Sequence, residues 1–328
     1  MTAFVAFIRG AIMQAMPLLF GSTGEIMTEK SGNLNLGIPG IMYVGAISGV
    51  AGATIYEHSV GSANIVPFWA IFITLMASII GSLLMGLIYS FLVITLKSNQ
   101  NVTGLALTTF GIGIGNFFGG SLTKLIGSEV ASVSLRNISI YFKATLPFAN
   151  KLGWVGQIFF SYGFLTYVGI VIAIVVAIVL KKTRIGLHLR AVGENPATAD
   201  AAGINVSRYK YFATCIGSVI AGLGGLHYVF EYVGNWSNDG FGDRGWLAIA
   251  LVIFALWRPN IAIFGSILFG GLYMLSITIP GLSRPMGAFV EMTPYIVTIL
   301  LLIIMSIKNK KENQPPASLG LSYFREER

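Results

Sequence analysis

The chain has 328 residues, 55% hydrophobic and only 10% charged, with a mean hydropathy of +0.76 and a net charge of +8. Soluble domains carry about 25% charged residues, so the composition excludes a water-soluble globular protein and points to an all-α, polytopic integral membrane protein in a lipid bilayer. The positive balance reads as the Lys/Arg excess of cytoplasmic loops, not as a nucleic-acid surface, and the single cysteine excludes an internal disulfide or a multi-cysteine metal site.

About nine transmembrane segments are expected (eight to ten, depending on one short stretch), near 4–26, 34–56, 66–96, 101–119, 157–180, 210–230, 244–257, 260–279 and 293–307. The first lacks the basic leader of a cleavable signal, and its Arg9 is expected to snorkel to the interface. Glu29–Gly40, EKSGNLNLGIPG, then places glycines, a proline, Asn33 and Asn35 where a helix should be entering lipid. It reads either as a broken helix lining a substrate path or as an interfacial turn whose Asn side chains cap the next helix.

In Asn99–Gly119, Gly111, Gly115 and Gly119 recur every four residues and mark one smooth face for close helix packing. Asn101 opens this span, and Asn116 within it needs a polar partner or a cavity. Gly120–Gly156, with Tyr141, Phe142 and Trp154, is expected to be an outer loop with a surface-lying helix. Ile158–Leu180 is apolar and long enough to span about 35 Å.

Lys181–Tyr211 is too polar for lipid. Asn195 suits an N-cap, Pro196 a first helical position and Gly203 a left-handed stop, so one short helix is expected over 196–202. Tyr232–Trp246, YVGNWSNDGFGDRGW, is Gly-rich and holds Asp239, Asp243 and Arg244; it suits a gate or a plain loop equally. Arg244–Trp257 is short for a full crossing. The tail 308–328 is expected to be disordered, leaving 1–307 as the membrane domain. With 181–210 in the cytoplasm, the chain's 21 lysines and arginines fall roughly two to one on that side, which sets the N-terminus outside and the C-terminus inside.

Catalytic patterns are missing from the sequence. His58, His188 and His227 are scattered, no G-x-S-x-G elbow occurs, and no lysine stands in a P-loop. An ATP-driven process would need a partner to hydrolyse the nucleotide, and no cofactor is expected in this chain.

GEIMTEKSGNLNLGIPGIMYVGA, SNQNVTGLAL, RIGLHLRAVGENPATADAAGINVSRYKY and FGDRGWLAIALVIFALWRP occur in the order found in one family. Over residues 15–305 the chain resembles the permease subunits of ABC importers for nucleosides and simple sugars, related to the ribose and branched-chain amino-acid permeases. The resemblance implies a multi-pass protein of a prokaryotic cell membrane. It also implies a second permease subunit, identical or different, cytoplasmic ABC ATPase subunits and an extracytoplasmic substrate-binding protein. It carries an ATPase-coupling role onto Arg190, Gly193, Glu194, Asn195, Pro196, Ala199 and Gly203. Asn33, Asn35, Asn101, Asn116 and Asp243 are the candidates for the translocation path. One position departs from the family: Pro39 stands where members carry an acidic residue before the glycine. The alternative is a secondary transporter driven by an ion gradient. It needs an ionisable group near the midplane, and the nearest candidates, Glu25 and Glu231, are expected at the interfaces.

Overall fold

A computed structural model describes residues 2–125, 132–279, 284–308 and 314–327. In chain order the helices are α1 (Thr2–Glu29), α2 (Ile38–Val60), α3 (Pro67–Ser90), α4 (Gln100–Leu125), α5 (Arg136–Phe142), α6 (Gly153–Phe159) and α7 (Phe164–Lys182). They continue as α8 (Arg184–Glu194), α9 (Pro196–Ala201), α10 (Val206–His227), α11 (Arg244–Phe254), α12 (Pro259–Thr278), α13 (Arg284–Glu291) and α14 (Thr293–Lys308). Proline marks the first turn of α2, α3, α9 and α12, where its missing N–H costs nothing. Helices α3 and α10 both run on into π-helical turns, Phe91–Thr95 and Tyr228–Val233.

Among the described residues, six helices are long and apolar enough to cross a membrane: Ala3–Glu29, Ile38–Val60, Pro67–Thr95, Gln100–Leu125, Phe164–Lys182 and Val206–Val233. The other expected segments appear as shorter apolar helices, α11, α12 and α14. Helix α3 turns Phe68, Phe72, Met76, Ile80, Leu84 and Leu87 outward, a three-to-four-residue spacing that suits lipid or an apolar partner on one flank.

The centre of the molecule is α10, which packs on α1, α2 and α3. The approach is backbone to backbone. A Cβ added at Gly24 of α1 would lie 2.2 Å from the Gly217 carbonyl oxygen, and one at Gly45 of α2 would lie 2.6 Å from Gly222 Cα. Helix α4 closes on α2 in the same way, with a Cβ at Gly111 falling 2.6 Å from the Gly40 carbonyl oxygen. Helices in lipid gain little from apolar burial against each other, so close approach through small residues supplies much of their attraction.

The outer segment is more structured than a loop with one helix. Its β1 (Ser132–Ser134) pairs antiparallel with β2 (Asn235–Ser237), Val133 opposite Trp236. Phe142 of α5 is fully buried against Phe164 and Phe230, whereas Trp154 stays exposed.

Gly24→Val should wedge α1 from α10 at a cost of about 1–3 kcal/mol or more. Thermal unfolding of the detergent-solubilised protein should show a clearly lowered midpoint; an unchanged one would contradict the contact.

Candidate functional site

The break between α1 and α2 is a polar loop largely buried inside protein. Glu25, Ser31, Asn33 and Asn35 are 0% exposed, and Glu29 is 3% exposed. Backbone at this depth has no water to bond, so side chains from other helices do it. Leu34 N–H donates to Gln100 Oε1 at 2.6 Å, and the Leu34 carbonyl accepts from Tyr89 OH. Thr108 Oγ1 donates to the Leu36 carbonyl at 2.8 Å, and Asn33 Nδ2 donates to Thr214 Oγ1 at 3.0 Å. Asn35 N–H donates to Glu25 Oε1 at 2.9 Å, and Asn35 Oδ1 accepts from Gly37 N–H, the turn immediately before α2. Trp257 Nε1 donates to Glu29 Oε2. The departing residue, Pro39, packs against Gly245 at the start of α11, where an added Cβ would lie 2.4 Å from Pro39 Cα.

The stretch 184–203 lies against this loop. Asn195 Oδ1 caps α9 by accepting from Thr198 N–H at 3.0 Å. Gly203 closes the helix at φ +83°, a conformation that suits glycine, and the Ile204 N–H returns to the Ala199 carbonyl at 3.0 Å. The helix ends at Ala201, one residue short of the expected stop. Sequence reasoning missed α8, which Thr183 caps through Gly186 N–H at 3.1 Å. Leu189, Val192 and Gly193 face inward from α8, while Arg190 and Glu194 are exposed. A small core of Val192, Ala199 and Val206 with Tyr209 and Tyr323 joins α8, α9 and α10. Gly193 presses on the loop so closely that a Cβ would fall 2.3 Å from the Lys30 carbonyl oxygen. Burial pulls the Lys30 ammonium below the usual lysine range, opposed by the nearby Glu194 carboxylate.

The tail expected to be disordered is packed where it is described; residues 309–313 and 328 of that expectation lie outside the described residues. Ser318 donates from both N–H and Oγ to the Gly193 carbonyl, and Gly320 N–H reaches the Gly32 carbonyl at 3.2 Å. Tyr323 OH donates to Asp200 Oδ2 at 2.9 Å, with Arg325 Nε 3.2 Å from the same oxygen. Lys97 sits 4.1 Å over the Phe324 ring. Low apolar content argued for disorder, but backbone bonding to Gly32 and Gly193 leaves no sequence signal.

The candidate path residues do not form one cluster. Asn33 and Asn35 sit at the coupling-loop end with Asn101, which is exposed at the start of α4. Asn116 lies elsewhere, accepting from Tyr43 OH at 2.5 Å and donating to Asp239 Oδ1 at 3.1 Å beside the β1–β2 pair. Asp243 is exposed and accepts from Tyr295 OH at 3.2 Å. Arg244 lies 3.2 Å from Gln14 Oε1 on α1 and 4.3 Å over the Tyr228 ring, and Gln14 Nε2 donates to Tyr232 OH at 2.7 Å. A glutamine in the middle of an apolar helix was a readable signal for this group.

Glu25 and Glu231, expected at the interfaces, are both buried inside the protein. Glu25 is held by the loop, and Glu231, 2% exposed, accepts from Leu165 N–H at 3.1 Å and from Thr166 Oγ1, fastening the first turn of α7. Both accept from backbone N–H groups, and Glu231 also lies 3.5 Å from His227 Nε2, whereas Glu25 Oε2 has no hydrogen-bond partner among the described residues. Among the described residues no group of three or more His, Cys, Asp or Glu is placed to hold a metal ion.

A family model described as branched-chain amino acid transport system / permease component matches residues 7–306. The chain belongs to this permease family. The permease is 31% identical over 301 residues to the nucleoside ABC transporter permease protein NupC of Lactococcus lactis, covering 90% of this chain and 91% of that one. It is 29% identical to the guanosine ABC transporter permease protein NupQ of Bacillus subtilis, covering 90% of each chain. With a glucose ABC transporter permease protein of Haloferax volcanii the identity is 30% over 99% of both chains. A solved inward-facing metal-chelate type ABC transporter aligns with TM-score 0.50 at 10% identity over 90% of the permease and 85% of that chain, a likeness of fold alone. The protein is a multi-pass permease subunit of an ABC transporter.

Deleting 314–328 should loosen α8 and α9 without unfolding the spans. Hydrogen exchange at 190–205 should quicken about tenfold or more, since the tail bonds Gly193 and Asp200 directly. Unchanged exchange would show that the tail contacts carry no stability.

Proposed function

We propose that this chain is one half of the translocation pathway of an ATP-driven importer for a nucleoside or simple sugar, and that a separate ABC ATPase subunit drives it through α9. The observation that carries this reading is the mounting of α9. Its cap Asn195 and its neighbours Arg190 and Glu194 face solvent, while Ala199 packs on Val192 of α8, whose Gly193 presses on the buried loop between α1 and α2. A short stiff helix with a free outer face and a fastened inner one transmits a push into α1 and α2.

In this reading the chain crosses nine times, counting the shorter α11, α12 and α14, with the N-terminus outside and the basic loops at the cytoplasmic face. A substrate-binding protein delivers the solute to the opposite face. The second permease is a different chain: NupB of Lactococcus lactis, a nucleoside permease from the same organism as NupC, is 30% identical over 43% of this one. Relatives named for nucleosides, guanosine and glucose support the solute class. The Gln14–Tyr232–Arg244 group supplies donors, an acceptor and aromatic faces suited to a base or a sugar.

Gly203→Val forces a β-branched residue to φ +83° and should displace the end of α9. In proteoliposomes holding the complete transporter, ATP-driven uptake should fall at least tenfold while the spans still insert. Normal uptake by the variant, or uptake by this chain with no ATPase present, would defeat the assignment. Dissipating ion gradients should leave ATP-driven uptake intact, and loss of uptake would favour the gradient-driven alternative.

A further inference from the structure

A cavity of about 420 Å³ opens where the start of α10, the coupling loop, the π turn after α3 and the tail meet. Its size falls in the usual range for small-molecule sites, about 300–1,000 Å³. Its floor carries the first turn of α10: Val206, Ser207 and Lys210 line it together. The N–H groups at the first two positions of a helix precede the hydrogen-bond ladder and point out of its end, so the start of this 22-residue helix favours an anion.

A second, independent feature lies in the same wall. Lys210 is 4% exposed and has no hydrogen bond or ion pair among the described residues. Holding a lysine this deep without a counter-charge is costly, and the cavity that Lys210 lines is the space from which an anion would relieve it. Lys97 and Arg325 line the same space, Gln100 and Asn205 add amides, and Tyr323 adds a hydroxyl. The one carboxylate in the lining, Asp200, already accepts from Tyr323 and Arg325.

We propose that this cavity binds a phosphate group, with Lys210 and the α10 N-terminus as its principal contacts and Lys97 and Arg325 as flanking cations. The phosphate belongs either to a small cytoplasmic anion such as a phosphomonoester or to an anionic lipid headgroup. Either occupant ties the coupling loop, the π turn and the tail together through one charge.

The test uses the full chain in phosphatidylcholine nanodiscs, titrated with inorganic phosphate or AMP at constant ionic strength set by chloride. Saturable thermal stabilisation is expected. Lys210→Met should weaken it at least tenfold and Lys210→Arg should retain it. Ser207→Asp is exposed, is tolerated at a helix N-terminus and places a negative charge at the site, so it should weaken binding as strongly without lowering the unliganded melting point. If neither soluble anion binds, but native mass spectrometry finds phosphatidylglycerol retained by the wild type and lost from Ser207→Asp, the phosphate comes from lipid. No binding of any of these, or equal binding by Ser207→Asp, overturns the proposal.

Discussion

The structure depends on one constraint: of the eight residues of irregular backbone between α1 and α2, five are buried, so protein must satisfy their N–H and C=O groups. That obligation recruits Tyr89 from α3, Gln100 and Thr108 from α4, Thr214 from α10 and Glu25 from α1 itself. The loop is therefore the point through which four membrane helices feel one another. Buried donors and acceptors left unpaired cost roughly 1–3 kcal/mol each, so displacing any of these elements is opposed by the rest.

The coupling stretch and the tail are layered onto that loop from outside. Gly193 allows α8 to touch Lys30 backbone to backbone, and Ser318 and Gly320 bond Gly193 and Gly32. A side chain at either glycine would hold the layers apart. The order from the free face inward is thus α9, α8 with the tail, the buried loop, and then α1 and α2.

Much of this was legible in the residues. Asn195, Pro196 and Gly203 mark α9 because capping, first-turn proline and left-handed closure are local chemistry. The helical segments were legible from unbroken apolar runs, although α11 ends at Phe254, short of the expected Trp257. Three things were not legible. The tail is held by backbone bonds and by scattered side-chain contacts of Ser318, Tyr323 and Arg325 to distant parts of the chain, Glu231 is buried by a helix start distant in the chain, and Asn116 and Asn33 are separated by tertiary placement. The family motifs identified the permease, while the positions of the polar residues needed the fold.

The glycine contacts of α10 limit how such a protein can change shape. With Gly217 against Gly24 and Gly222 against Gly45, main chains meet with no side-chain cushion between them. Sliding α1 or α2 by a turn past α10 would bring bulkier residues such as Ile220 or Leu223 into spaces that hold only hydrogen atoms now. The three helices must travel as a single block, and the bending has to occur at its margins, where the π turns after α3 and α10 already interrupt the regular helical ladder.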